Sequence, residues 1–150
     1  MTLDRSRPPE AGPARPLSIP RPERHRLPNG LSVAAVHRPR LPEASLALVL
    51  PAGADSVGSQ QAGLASLVAK VLPEGSSGKT SREMATMLDG LGVHLGVSVG
   101  YDSMILRLHT LSDQLEPALE ALASVALAPD FLADEVDRCR AERLDAIRRS

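Results

Sequence analysis

The first strong signal along the chain is a run of short apolar stretches divided by turn residues. Arg26-Leu27 and Leu31-Ser32-Val33-Ala34-Ala35-Val36 flank Leu27-Pro28-Asn29-Gly30, and Asn-Gly between two such runs predicts a hairpin. After Pro39 and Pro42, residues 44–50 mix alternating and continuous apolar positions up to Pro51, which reads as a buried strand. From Gln60 the period lengthens. Leu64, Leu67, Val68, Val71 and Leu72 recur at helical spacing, and Pro73 and Gly75 stop the pattern. A Gly/Ser loop over 75–78 leads to Thr80 or Ser81 as N-cap of a second helix, whose stripe is Met84, Met87, Leu88 and Leu91 and whose end is Gly92.

Strict alternation then returns. Val93, Leu95, Val97 and Val99 alternate with His94, Gly96 and Ser98, and beyond Gly100-Tyr101-Asp102 the residues Met104, Leu106 and Leu108 do the same, predicting a second antiparallel pair. Ser112 or Asp113 is expected to cap a helix carrying Leu115, Leu119, Leu122 and Val125, closed by Pro129. Residues 134–149 form a charged helix with only Val136, Leu144 and Ile147 as apolar positions, and neither of its faces has an evident mate in the chain. The order β-β-β-α-α-β-β-α-α predicts an α+β domain, an antiparallel or mixed β-sheet covered by helices on one face, truncated at its C-terminal side.

Composition narrows the function. Residues 1–24 hold Pro8, Pro9, Pro13, Pro16, Pro20 and Pro22 with five arginines and little to bury, so a disordered lead-in precedes a domain over 25–150. Seventeen basic residues balance eighteen acidic ones, and Tyr101 and Phe131 are the only aromatics, so a nucleic-acid partner lacks both its field and its stacking platforms. No apolar run approaches the roughly 20 residues of a membrane span, and no signal-peptide core follows the N-terminal arginines, so neither a membrane nor export is expected. The single cysteine, Cys139, excludes an intrachain disulfide framework and suits the cytoplasm.

The individual chemical signals are weak. His25, His37, His94 and His109 share no helical or short-loop spacing and read as surface or edge-strand residues. Ser66 and Lys70 share a helix face, yet no elbow or oxyanion loop frames the serine as a nucleophile. Gly78-Lys79-Thr80 echoes the end of a phosphate-binding loop, but Pro73 stands where its first glycine is required and a helix precedes it. Cys139 lies between Arg138 and Arg140 and is expected to show ordinary thiol reactivity.

The ordered set Leu27-Pro28-Asn29-Gly30-Leu31, Ala52-Gly53-Ala54, Gly63-Leu64-Ala65, Pro73-Glu74-Gly75-Ser76-Ser77, Met87-Leu88-Asp89-Gly90-Leu91-Gly92, Leu115-Glu116-Pro117-Ala118-Leu119 and Pro129-Asp130-Phe131 resembles the N-terminal half-domain of the insulinase/pitrilysin zinc metallopeptidases, or inverzincins. The resemblance implies a LuxS/metallohydrolase-like half-domain. In catalytic members the first helix carries H-x-x-E-H, two histidines one turn apart for zinc with a glutamate that activates water. In this register the histidine positions fall on Ser66 and Lys70 and the glutamate on Ala69. The third ligand and the acid seven residues before it fall on Ala146 and Cys139, with Asp145 and Glu142 nearby. The strand that grips substrate backbone reads Gly96 and Val99, with Asp102 kept. The resemblance therefore implies a degenerate member with no catalytic, metal or cofactor-binding residues, although its catalytic relatives use zinc. The resemblance implies that such a chain serves as a scaffold or peptide-binding subunit beside a catalytic peptidase or second half-domain, with extended peptide as a further expected partner. An endopeptidase with a non-standard metal site and a relict gene fragment are the competing readings.

Overall fold

In a computed structural model, residues 12, 16 and 18–149 are described, so most of the expected lead-in lies outside the described residues. Strands β1 (Glu23–Arg26) and β2 (Ser32–Ala35) form an antiparallel hairpin by themselves. Glu23 and Arg24 belong to β1, so the first strand starts two residues before the expected boundary. The turn is tight: Gly30 N–H donates to the Leu27 carbonyl at 2.9 Å, and Leu31 N–H donates to the Asn29 side chain at 3.1 Å. Gly30 takes a φ of 89°, where a side chain would be strained.

The second unit, 41–150, is built on a three-stranded antiparallel sheet in the order β3 (Glu43–Leu50), β7 (Met104–Leu111), β6 (His94–Val99). Period-two patterning sets its register. Leu46, Leu108 and Leu95 form one row across the sheet, Leu48, Leu106 and Val97 the next, and Leu50, Met104 and Val99 the third. All nine lie in or against the core, which also takes Ala69, Leu72, Met84, Val93, Ala118, Leu122 and Val125. A one-residue slip of any strand would turn its apolar set to the other face, so burial fixes the register. The outer face carries Ser45, His109 and His94 in one row and Ala47, Arg107 and Gly96 in another. Residues 44–50 are expected from sequence to form a buried strand, but β3 is an edge strand, half-buried on alternate residues, with Val49 59% exposed.

The core face is covered by α1 (Leu64–Val71), α2 (Ser81–Gly90) and α3 (Leu115–Leu127). A single 3-10 turn, Leu72–Glu74, extends α1 through Pro73. The expected Gly/Ser loop is instead a small hairpin of β4 (Gly75–Ser76) and β5 (Lys79–Thr80), turned by Ser77 and Gly78 at φ of 53° and 76°. Thr80 caps α2 in a capping box with Glu83, whose carboxyl is held below its usual range by the Thr80 backbone and hydroxyl donors. Neither Ser112 nor Asp113 caps α3: both lie in a 3-10 turn before it, and Gln114, with no side-chain cap bond, is the N-cap residue.

The last helix, α4 (Ala133–Arg149), does have a mate. It packs on α1, with Cys139 fully buried beneath it. Its apolar residues are too sparse to signal this face, and ion pairs from Glu142 to Lys70 and from Arg138 to Glu74 cross the contact.

Candidate functional site

Ser66 and Lys70 lie one turn apart on α1, so both project from one face. Both are partly exposed, whereas Ala69 is 6% exposed and belongs to the core. The Lys70 ammonium donates to Glu142 Oε2 on α4 at 2.6 Å. Glu142 Oε1 accepts from Arg138 Nη1 at 2.8 Å, and Arg138 Nη2 reaches both Glu74 and Glu135 at 2.7 Å. Ser81 Oγ donates to Glu74 at 2.7 Å and ties α2 to the same chain of bonds. Three carboxylates and two cations thus form one network joining α1, its 3-10 extension, α2 and α4.

The electrostatics follow the geometry. Donation by Lys70 and then Arg138 holds the Glu142 carboxyl below its usual range, and Glu135 and Glu142 make Arg138 a still weaker acid than a free guanidinium. Burial pushes the Cys139 thiol up, against the smaller pull of Arg138, so Cys139 is less reactive than an ordinary thiol.

Of the positions singled out by the zinc motif, the structure brings Ser66 and Lys70 together on one face and turns Ala69 inward. Ala146 is exposed on α4 and supplies a methyl group, and Cys139 is buried. Asp145 pairs locally with Arg148 at 3.3 Å. The acid that meets Lys70 is Glu142, one helical turn before Ala146, and the acid seven residues before Glu142 is Glu135. The expected spacing is present, displaced by one turn, and the Glu135–Glu142 separation was its visible signal in the sequence.

As a donor set for zinc, these residues do not fit. At the positions that the resemblance assigns to two imidazoles and a carboxylate stand a hydroxyl, an ammonium and a buried methyl, and the ammonium repels a divalent cation while holding the nearest acid. Among the described residues, no group of three or more His, Cys, Asp or Glu side chains is placed to hold a metal ion. Two histidines that the sequence leaves scattered do meet, since His94 and His109 face each other across β6 and β7, with His109 Nδ1 2.9 Å from Ser45 Oγ.

The other candidates resolve as structure. In the Gly78-Lys79-Thr80 segment, the Gly78 amide donates to the Asp130 carboxylate at 2.7 Å and the Thr80 amide to Glu83 at 2.9 Å, so amides that a phosphate would need are taken. Gly96 sits mid-strand with open space over it, Val99 packs against the core, and Asp102 accepts from Ser103 Oγ at 3.0 Å in the β6–β7 turn. Within the sheet, β6 pairs with β7 alone. A groove of about 390 Å³ between the start of α1 and the end of α4 is lined by Leu64, Leu67, Arg140, Arg143, Leu144 and Ile147. Among the described residues no helix is long and apolar enough to cross a membrane.

A model of the insulinase family, peptidase family M16, matches residues 32–149. A protein of Mycobacterium leprae described as an uncharacterized zinc protease is 28% identical over 111 residues, covering 74% of this chain and 25% of its own length. A Rickettsia felis protein of the same description is 23% identical over 74% of this chain and 27% of itself. The chain therefore spans about a quarter of the length of these relatives. Among solved structures, a peptidase M16 inactive domain from Pseudomonas fluorescens superposes with a TM-score of 0.78 at 31% identity, over 83% of this chain and 31% of that one. A protease from Helicobacter pylori shares the fold, with a TM-score of 0.73 at 19% identity over 82% of this chain and 30% of its own. With a matched segment that runs from β2 to the end of α4, the chain belongs to the insulinase family of M16 peptidases.

Proposed function

We propose that this chain is a non-catalytic, metal-free half-domain of the insulinase fold that acts in the cytoplasm as a scaffold or peptide-binding subunit beside a catalytic zinc peptidase or second half-domain. The observation that carries the reading is the Lys70–Glu142 ion pair on the helix face where Ser66 and Lys70 replace the histidines. No water-activating carboxylate accompanies it, because position 69 is an alanine in the core. The 31% identical Pseudomonas fluorescens relative is described as an inactive domain, which supports the same assignment here. Among the described residues β6 pairs with β7 alone, and its other side is suited to an extended peptide, which would add a strand through main-chain hydrogen bonds.

The test is purification of the tagged chain from its native host, with mass spectrometry of stoichiometric co-eluting proteins. A partner that carries an intact H-x-x-E-H, with peptide cleavage by the pair and none by this chain alone, is the expected result. Cleavage by the isolated chain, lost on Glu142→Ala or Asp145→Ala, would overturn the proposal in favour of a non-standard metal site. Recovery alone or only with chaperones would contradict the scaffold role and favour a relict.

A further inference from the structure

We infer that the Lys70 ammonium is a built-in cation standing between α1 and α4 in the place where a metal would bridge them, with Glu142, one turn before the third-ligand position at Ala146, as the carboxylate that faces it. The inference rests on the register used above, in which Ser66 and Lys70 occupy the histidine positions, and it goes further by assigning a carboxylate and a structural role to the site. Its basis is a disagreement between the residues present and the metal that the fold implies. The motif positions on both helices lack donors, Ser66, Ala69 and Lys70 on α1 and Cys139 and Ala146 on α4, and the acids of α4 stand one turn earlier, at Glu135 and Glu142.

Three observations carry it. The Lys70–Glu142 separation of 2.6 Å is a direct charge-assisted hydrogen bond between two helices 72 residues apart in sequence. Glu135 and Glu142 reproduce the seven-residue acidic spacing one turn earlier than Cys139 and Ala146, and both converge on Arg138. Finally, the cluster holds three carboxylates, Glu74, Glu135 and Glu142, against two cations, so Lys70 supplies half of the compensating charge. Without a cation at this point, carboxylates on two packed elements would repel each other.

The geometry makes a prediction that a surface ion pair would not. If Lys70 and Glu142 frame a metal position, histidines at 66 and 70 together with the native Glu142 complete a three-ligand site with an open fourth position. The experiment titrates cobalt(II) chloride into the full chain and into S66H/K70H, reading visible d–d absorption, with zinc chloride as competitor. S66H/K70H is expected to bind one equivalent, the native chain to show no such band over the same range, and addition of E142Q to weaken binding by at least about tenfold. Folded S66H/K70H without a one-equivalent site would overturn the inference, as would cobalt binding that E142Q leaves unchanged.

If S66H/K70H does not fold, a thermal-melting cycle of K70M, E142Q and K70M/E142Q decides. K70M is expected to lower Tm, with part of that loss recovered in K70M/E142Q; strictly additive shifts would overturn the inference. These readouts need no peptide, so the inference can fail while the chain remains an inactive subunit, and it can stand even if no partner is found.

Discussion

Ala69 tests the proposed metal-free reading at a single residue. Its methyl group lies in the core, so Ala69→Glu places a carboxyl group among apolar side chains and leaves it without a partner. The expected loss is about 2–4 kcal/mol, measured by urea unfolding, with no gain of peptidase activity. A neutral effect on stability would show that position 69 faces the α1–α4 cleft. Glu142 gives a second test. Because Lys70 and Arg138 hold its carboxyl below the unfolded-state value, its contribution is present above that value and is lost as pH falls through the folded-state one. The native chain should be more stable than Glu142→Gln near neutral pH, and the difference in Tm should close under acid. A gap that persists after protonation would mean that Glu142 acts by packing. The residue types on α1 were legible from sequence, since i and i+4 fix a shared face. Their partner was placed one turn too late, at Ala146, because a helix repeats every turn, and the seven-residue separation of Glu135 and Glu142 was the signal for the earlier position.

At the scale of elements, local pattern carried most of the fold. The 3.6-residue period located α1, α2 and α3, and alternation located β3, β6 and β7, because most of these apolar residues lie in or against the core; α4 was located as well, although its Leu144 and Ile147 are exposed. Missed features depended on tertiary closure. The β4–β5 hairpin is held by Ser77 N–H donating to the Ala128 carbonyl at 2.9 Å and by Asp130, both beyond α3. The meeting of His94 with His109 follows from counting outward from the β6–β7 turn, a hairpin register that helical spacing rules do not test. Gly53 has a reason that its sequence motif does not reveal. A Cβ there would strike the Tyr101 backbone carbonyl, where Ala54 and Asp55 N–H groups donate to Gly100 and Tyr101 at 3.0 and 2.9 Å. Gly53→Ala should therefore cost more than about 2 kcal/mol by thermal or urea unfolding. An unchanged midpoint would mean that this loop parts readily from the β6–β7 turn.

On the scale of the whole molecule, the chain has the family fold and carries Ser66, Ala69 and Lys70 at the positions where the proposed register places the zinc motif. The core rows, the Gly53 approach and the α2 capping box maintain the fold without reference to zinc. A network of Lys70, Glu142, Arg138, Glu74 and Glu135 joins α1 and its 3-10 extension to α4. The most direct test of a metal-free assignment is equilibrium dialysis of the purified native chain against zinc, with the dialysed protein then assayed on a quenched-fluorescent peptide library. The account predicts no stoichiometric zinc and no cleavage; one tightly held zinc per chain, with metal-dependent cleavage, would contradict it.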